Sequence, residues 1–342
     1  MPNKELKLNK KIFNEDCEQI PIRKGFGEGL LAVAEKDERV VGLCADLTDS
    51  TKMDLFKKKF PERFIEIGVA EQNLASVASG LAGAGKIPFI SSYAVFSPGR
   101  NWEQIRTTIC YNNVPVKIAG SHAGVSVGPD GGSHQALEDI AITRVLPRMT
   151  VLTPCDAIEA KKATIEAIKI DGPVYIRLAR EATPIITTEE TPFEIGEAQI
   201  FYSSQLTLKS DFNEGKIDVG IIAIGALVFE AMRTAQELEK EGISVSVMNL
   251  GTVKPIDEKA VIDLAKEAGA IVTVEEHQIM GGMGSAVAEV LSVNFPIPIE
   301  FVGIKDVFGQ SGTPDELLSH YSLKSKNIRE AVMNVLKRKK SY

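Results

Sequence analysis

Residues 115–134 read PVKIAGSHAGVSVGPDGGSH, and this stretch sets a short apolar run directly before a glycine-rich loop. The apolar run Pro115–Ala119 is typical of a buried β-strand. The loop Gly120–His134 holds five glycines, which reach backbone angles that other residues cannot and let a ligand approach the main chain. A strand that ends in such a loop is typical of an α/β sheet, whose ligands lie at the carboxyl ends of the strands.

The same alternation of strands and helices runs through the first half of the chain. Strand-length apolar runs lie at Arg39–Cys44, Phe64–Ile67, Ile87–Ser91, Pro115–Ala119, Thr150–Leu152 and Pro173–Leu178. Helical patterns lie between them at Lys24–Ala34, Glu71–Gly83, Trp102–Tyr111, Ala136–Arg144 and Ala157–Ile168. This order predicts a mostly parallel sheet with helices on both faces. The loops that follow the strands should therefore gather at one edge of the sheet.

A second alternation follows a polar segment. Residues 184–216 show no clear helical period, and we expect a linker there with one strand at Ala198–Tyr202. Residues 217–342 again alternate between strand and helix patterns. The sequence therefore predicts an α/β protein with two doubly wound domains of mostly parallel sheets, at residues 20–183 and 217–342.

The composition is ordinary for a globular protein. The 342 residues suffice for two domains, and the net charge of −7 argues against a nucleic-acid-binding surface. No apolar run approaches the roughly 20 residues that a membrane span needs. The amino-terminal residues lack the apolar stretch of a signal peptide. The four cysteines are scattered, so we expect a reducing, cytoplasmic location without disulfides or a zinc site.

The loop Gly120–His134 carries groups for acid–base chemistry. His122, Asp130 and His134 can donate, accept and transfer protons near neutral pH. A metal site is less favoured, because the spacing is irregular and no third histidine or cysteine is clustered with them. We therefore expect catalysis or substrate binding here, and no metal ligand in this chain.

Glu71 stands at a predicted strand-to-helix junction. Taken alone, a glutamate there is favoured by the positive end of the helix dipole. Its apolar neighbours Val69, Ala70 and Leu74 also suit a carboxyl group that shares a proton with a ligand. Both interpretations stay open from the residues alone.

Several other polar and aromatic residues follow predicted strands. Asp46 and Ser50 do so, although both residue types are also common in turns. Tyr93 and Phe96 lie in a polar loop where a flat heterocyclic ligand could stack, although such aromatics are more often core. Arg180 directly follows a strand and suits phosphate binding.

The chain contains no familiar nucleophile motif. A nucleophile elbow, a P-loop and a dinucleotide fingerprint are all missing from the sequence. The glycines after His277 resemble a phosphate-binding turn, but such glycines also make ordinary tight turns. Acid–base groups without a nucleophile indicate chemistry done by a cofactor.

Five segments, in order, resemble the carboxyl-terminal half of transketolase, the thiamine-diphosphate enzyme. The resemblance runs from about Ile22 to the end of the chain. It is carried by Ala45–Ser50 (ADLTDS), Gly68–Asn73 (GVAEQN), Gly120–Asp139 (GSHAGVSVGPDGGSHQALED), Ile176–Arg180 (IRLAR) and Asp306–Leu318 (DVFGQSGTPDELL). Each segment alone is a modest signal, but five in the family's order are specific.

The resemblance implies an enzyme that transfers a two-carbon ketol unit from a ketose phosphate to an aldose phosphate. Glu71 matches the glutamate that hydrogen-bonds the cofactor's aminopyrimidine ring and takes part in catalysis. Tyr93 and Phe96 match aromatic residues that pack on this ring, and Asp46 matches an aspartate near it.

The family's sugar-binding positions are matched as well. The groups that hold sugar hydroxyls and assist proton transfer correspond to His122, Asp130 and His134. The pocket for the terminal phosphate corresponds to Arg23, Ser50 and Arg180.

The sequence departs from full-length transketolase in one respect. The Gly-Asp-Gly motif of the domain that binds the diphosphate and a divalent metal does not occur. The resemblance therefore implies the carboxyl-terminal subunit of a split transketolase, with a separate amino-terminal partner in an α2β2 heterotetramer. Thiamine diphosphate is the expected cofactor, and the partner is expected to supply the ligands for Mg²⁺ or Ca²⁺.

Two alternatives remain. The β subunit of a 2-oxoacid dehydrogenase E1 component has the same layout, but its loop typically carries adjacent histidines rather than the pattern found at residues 128–134; deoxyxylulose-phosphate synthase is weaker for similar reasons. A non-catalytic binding or regulatory protein on the same fold is the other alternative. The joint presence of Glu71, the loop histidines and Arg180 argues against it.

Overall fold

The computed structural model describes residues 1–204 and 217–340. Within them the strands are β1 (Gln19–Pro21), β2 (Val40–Cys44), β3 (Phe64–Glu66), β4 (Ile87–Tyr93), β5 (Lys117–Ser121), β6 (Thr150–Leu152), β7 (Val174–Arg177), β8 (Ala182–Pro184), β9 (Gln199–Ser203), β10 (Val219–Ala223), β11 (Val245–Asn249), β12 (Thr252–Lys254), β13 (Ile271–Gln278) and β14 (Ile299–Ile304). The helices are α1 (Ile22–Ala34), α2 (Asp54–Lys59), α3 (Glu71–Gly83), α4 (Trp102–Gln104), α5 (Asp139–Arg144), α6 (Ala157–Ala167), α7 (Leu227–Lys240), α8 (Glu258–Ala268), α9 (Met283–Asn294), α10 (Pro314–His320) and α11 (Ser325–Lys339).

The first sheet has seven strands in the order β12-β6-β7-β5-β4-β2-β3. All neighbouring pairs are parallel except β12 with β6. Tyr93 at the end of β4 is paired with Ser121 at the end of β5. The loops after these two strands therefore leave the sheet side by side, as the sequence predicts.

The second sheet has five strands in the order β14-β13-β10-β11-β9, and only β9 is antiparallel to its neighbour. Strand β9 corresponds to the strand predicted at Ala198–Tyr202 in the expected linker. Residues 205–216 of that expected linker lie outside the described part of the chain. The prediction of an α/β fold with two mostly parallel sheets is confirmed.

The two halves of the chain share structure across their boundary. Strand β12 comes from the second half, between β11 and α8, but it pairs with β6 at the edge of the first sheet. One apolar cluster contains buried residues of both halves, such as Val151 and Leu250. The second half is thus packed directly against the first.

Two of the predicted helices differ from the structure by more than a residue or two at an end. The helix predicted at Ala136–Arg144 begins only at Asp139, because Ala136 bridges Ala123 and its carbonyl accepts the amide of Gly124 at 2.9 Å. The helix predicted at Trp102–Tyr111 is α-helical for one turn and continues as a π-helical segment, Ile105–Cys110.

Helix α1 lies in close contact with α6. A Cβ at Gly25 would lie 1.8 Å from the carbonyl oxygen of Ala157, so only glycine allows this approach. This packing fixes the beginning of α1, where Arg23 is located. In the part of the chain that the structure describes, no helix has both the length and the apolar character to cross a membrane.

Candidate active site

Two aromatic residues and two histidines form a stacked cluster at the edge of the first sheet. The rings of Tyr93 and His122 are stacked with centroids 3.7 Å apart, and Phe96 is parallel to Tyr93 at 6.0 Å. His134 meets Phe96 edge-on at 5.4 Å. Tyr93 ends β4, whereas His122 directly follows β5 in a left-handed backbone conformation, with φ 57°. The neighbouring strands therefore bring together four residues predicted from separate segments.

Glu71 begins α3 beside this cluster and is only 2% exposed. Its Oε2 is 2.7 Å from Nη1 of Arg100, and its main-chain carbonyl accepts the side-chain amide of Asn101 at 2.9 Å. The Arg100 guanidinium lies 4.7 Å from the centre of the Phe96 ring. The ion pair therefore joins the buried carboxylate to the aromatic cluster.

Arg100 and Asn101 are missing from the sequence-based predictions. An isolated arginine in a loop is usually a solvated surface residue, and Arg100 lies 29 positions from its partner. The sequence offers one indication of its role, its position four residues after Phe96. In the structure the amide of Arg100 donates to the carbonyl of Phe96, which brings its side chain over that ring.

Arg23, Ser50 and Arg180 also come together. Arg23 donates from Nε to the carbonyl of Arg180 at 3.0 Å and from Nη1 to the carbonyl of Ser50 at 2.5 Å. Arg180 in turn donates to the carbonyl of Val127 in the glycine-rich loop. The residues predicted to bind the terminal phosphate are therefore in contact with the loop that carries both histidines.

The pKa of His122 is affected by these positive charges. Burial, followed by the charges of Arg23, Arg180 and His134, lowers its pKa to about 3. Its Nδ1 lies 2.8 Å from the Ser121 hydroxyl, which leaves Nε2 for a ligand. At neutral pH His122 is therefore an uncharged donor or acceptor in surroundings that favour an anion.

The remaining predicted residues lie farther out. Asp46 has a left-handed backbone, with φ 58°, and its amide donates to Glu66 Oε1 at 2.8 Å. Together with Ser50 and Glu66 it lines a groove next to the arginines. Asp130 is exposed at the tip of the glycine-rich loop. The roles of all these residues in binding cofactor and sugar stay predictions.

Of the two interpretations of the glycines after His277, the structure favours the ordinary tight turn. The amides of Met283 and Gly284 donate to the buried carboxylate of Glu275 at 2.7 and 2.9 Å. His277 is fully buried, and its Nδ1 lies 2.7 Å from the carbonyl of Gln278. The amides that would bind phosphate are thus already used inside the protein.

The residues around Glu71 fit a flat, polar ring. Tyr93 and Phe96 provide parallel aromatic surfaces, and Glu71 provides a buried carboxylate beside them. Within the described residues, Oγ of Ser92 and Oδ1 of Asn101 are buried without a hydrogen-bond partner. Buried polar atoms of this kind are usually satisfied, so their presence here is consistent with a ligand that supplies polar groups.

Known proteins resemble this chain over most of its length. The family described as the transketolase pyrimidine-binding domain matches residues 18–185, and the transketolase C-terminal domain matches residues 209–328. A putative transketolase C-terminal section from Methanocaldococcus jannaschii is 43% identical over 93% of this chain and 96% of its own length. A 6-deoxy-6-sulfo-D-fructose transketolase subunit from Clostridium sp. is 39% identical over 96% of this chain and 98% of its own length.

A solved structure is similar as well. It is described as a split gene transketolase in an inactive β4 tetramer, and it is 44% identical with a TM-score of 0.84. The match covers 94% of this chain and 99% of that one. The chain therefore belongs to the transketolase family and comprises its pyrimidine-binding and carboxyl-terminal domains.

Proposed function

We propose that the chain is the carboxyl-terminal subunit of a thiamine-diphosphate-dependent transketolase. It transfers a two-carbon ketol unit from a ketose phosphate to an aldose phosphate, in complex with an amino-terminal partner that holds the diphosphate. The observation that carries this proposal is the buried carboxylate of Glu71 beside the stacked rings of Tyr93, Phe96 and His122.

The cofactor's pyrimidine ring is assigned to the buried side of the cluster. Thiamine diphosphate, when bound, supplies the nucleophilic carbon that attacks the ketose carbonyl. Glu71 hydrogen-bonds the aminopyrimidine, while Tyr93 and Phe96 pack on its face and Asp46 lies near it. Arg100, as the ion-pair partner of Glu71, sets the position of the carboxylate that meets the ring.

The sugar is assigned to the loop and the arginines. His122 and His134 hold sugar hydroxyls and exchange protons with them, His122 through Nε2, with Asp130 as a further hydroxyl ligand. Arg23 and Arg180, with Ser50, bind the terminal phosphate. Guanidinium groups suit this role because they pair with phosphate through two hydrogen bonds.

The partner is inferred from the relatives. Two relatives are described as a section and as a subunit, and the chain covers nearly all of each. We therefore assign the metal ligands for Mg²⁺ or Ca²⁺ to an amino-terminal partner in an α2β2 heterotetramer. The solved β4 tetramer of a similar protein is described as inactive, which supports a requirement for that partner. The comparisons do not favour a 2-oxoacid dehydrogenase subunit or a non-catalytic protein.

Replacing Glu71 tests the assigned mechanism. In the reconstituted complex, Glu71→Ala should lower kcat/KM for ketol transfer by about 10²- to 10⁴-fold, the usual contribution of a proton-transferring group. The matched control is Glu62→Ala, which removes a carboxylate that is 68% exposed. A Glu71→Ala complex with unimpaired ketol transfer would show that the mechanism is wrong.

A further inference from the structure

We propose that Glu276 on β13, in the second half of the chain, is a positioning residue for the loop Gly120–His134. Its carboxylate fixes the middle of the loop and thereby the two histidines at its ends. This inference rests on the proposed function, because it assigns the loop histidines to the sugar.

The carboxylate of Glu276 accepts hydrogen bonds from the loop at Ser126. Its Oε1 accepts the amide of Ser126, and its Oε2 accepts the Ser126 hydroxyl at 3.1 Å. Gly124 lies against the same carboxylate with φ +90°, and a Cβ there would be 2.4 Å from the Glu276 Cδ. The loop can therefore lie against the Glu276 side chain only because residue 124 is glycine, and Ser126 pairs with its carboxylate.

Glu276 is itself held by the first half of the chain. Arg177 donates from Nη2 to the carbonyl of Glu276 at 2.8 Å, and from Nε to Asp139 at the same distance. The amide of Gln278 donates to the carbonyl of Leu137 at 2.8 Å. The end of β13 is therefore held on both sides of Glu276. A strand held in this way can fix the position of Ser126, and with it the middle of the loop.

The far half of the loop is supported by the second half of the chain too. Gln135 donates from Nε2 to the carbonyls of Val125 and Gln310, both at 3.0 Å. Loop glycine Gly132 leaves no space for a Cβ, which would lie 2.6 Å from the carbonyl of Gly309. The middle and the far end of the histidine-bearing loop consequently rest on residues outside the first sheet.

The expected effect follows from geometry. Reacting groups displaced by about 1 Å can lose roughly 10²-fold in rate, because catalysis needs them within contact distance of the substrate. Glu276 contacts neither the His122 ring nor the His134 ring, so it acts on them through Ser126. Its loss should displace the loop without removing any group assigned to cofactor or sugar.

The experiment combines hydrogen exchange of the full chain with kinetics of the reconstituted complex. Glu276→Ala should raise amide exchange in peptides that cover residues 120–135 and lower kcat/KM by about 10- to 100-fold. Glu276→Gln, whose side-chain oxygen still accepts the Ser126 amide, should restore most of the protection of the loop from exchange and most of kcat/KM. Ser126→Ala should have a smaller effect, and the double variant should match Glu276→Ala, because both changes remove the same interaction.

The matched control is Glu289→Gln. Glu289 also pairs across the two halves, with Arg144, but it is 65% exposed and lies away from the loop. This variant should leave loop exchange and kinetics unchanged.

Unchanged loop exchange in Glu276→Ala, or no recovery in Glu276→Gln, would overturn the proposal. If Glu276→Ala does not fold, Ser126→Ala decides: raised exchange confined to the loop supports the proposal, and unchanged exchange overturns it. Failure of the wild-type complex to transfer ketol units would instead overturn the proposed function, while the exchange measurement would still report on Glu276.

Discussion

Burial, together with the neighbouring positive charges, keeps His122 uncharged at neutral pH. Its pKa of about 3 arises from burial and from the charges of Arg23, Arg180 and His134. A bound phosphate would neutralise the two arginines and remove part of that effect. We therefore expect the pKa of His122 to respond to an anion bound next to Arg23 and Arg180.

We expect inorganic phosphate to raise the pKa of His122. The measurement is an NMR titration of the imidazole in the full chain, with and without saturating phosphate. Arg180→Gln should raise the pKa of His122 in the free chain and abolish the response to phosphate. Arg148→Gln, which removes an arginine that donates to the carbonyl of Tyr111, should behave like the wild type. A pKa of His122 that does not respond to phosphate would contradict the placement of the anion.

The same pKa has a consequence for stability. Below about pH 6.5 the unfolded chain binds a proton at His122, whereas the folded chain does not do so until about pH 3. The free energy of unfolding should therefore fall as pH drops through this window. Chemical unfolding of His122→Asn should show a weaker fall between these limits than the wild type, and an identical pH dependence would argue against a buried, neutral His122.

The histidines of the glycine-rich loop stand out in the sequence because a core does not need them. Glu71, Tyr93 and Phe96 stand out only by their places after predicted strands, and the roles of all these residues stay predictions. Arg100 and Asp139 did not stand out, since their importance comes from partners at positions 71 and 177. Pairings of this kind depend on the tertiary fold, which one sequence does not display.

At the scale of elements, helix α1 packs closely against α6. Gly25→Ala places a methyl group against the Ala157 carbonyl, so it should destabilise the protein by about 1–3 kcal/mol or more. Thermal unfolding measures this loss. Gly80→Ala is the control, because a Cβ there meets no atom within 4 Å; it should be neutral or stabilising by up to about 1 kcal/mol. Equal stability of the two variants would contradict the packing.

Elements were predictable where the sequence pattern is local. Helix α3 has the predicted bounds Glu71–Gly83, because its apolar positions recur at helical spacing. Strand β12 was not predicted: three residues carry too little pattern, and its pairing with β6 joins distant parts of the chain. The late start of α5 likewise depends on a bridge between Ala136 and Ala123.

At the scale of the molecule, the second half of the chain supports the site in the first. Strand β12 completes the first sheet, and Asn249 on β11 donates to Glu159 on α6 at 2.7 Å. Burial raises the pKa of Glu159 to about 7. The contacts of Glu276 and Gln135 extend this support to the glycine-rich loop.

The most direct measurement is ketol transfer by the purified chain with and without its amino-terminal partner, in the presence of thiamine diphosphate and Mg²⁺. Decarboxylation of 2-oxoacids is measured in parallel, and calorimetry follows cofactor binding. The chain alone should bind little cofactor and show no turnover, whereas the complex should transfer a two-carbon unit between sugar phosphates. Full ketol transfer by the chain alone, or 2-oxoacid decarboxylation without ketol transfer by the complex, would contradict the assignment as a partner-dependent transketolase subunit.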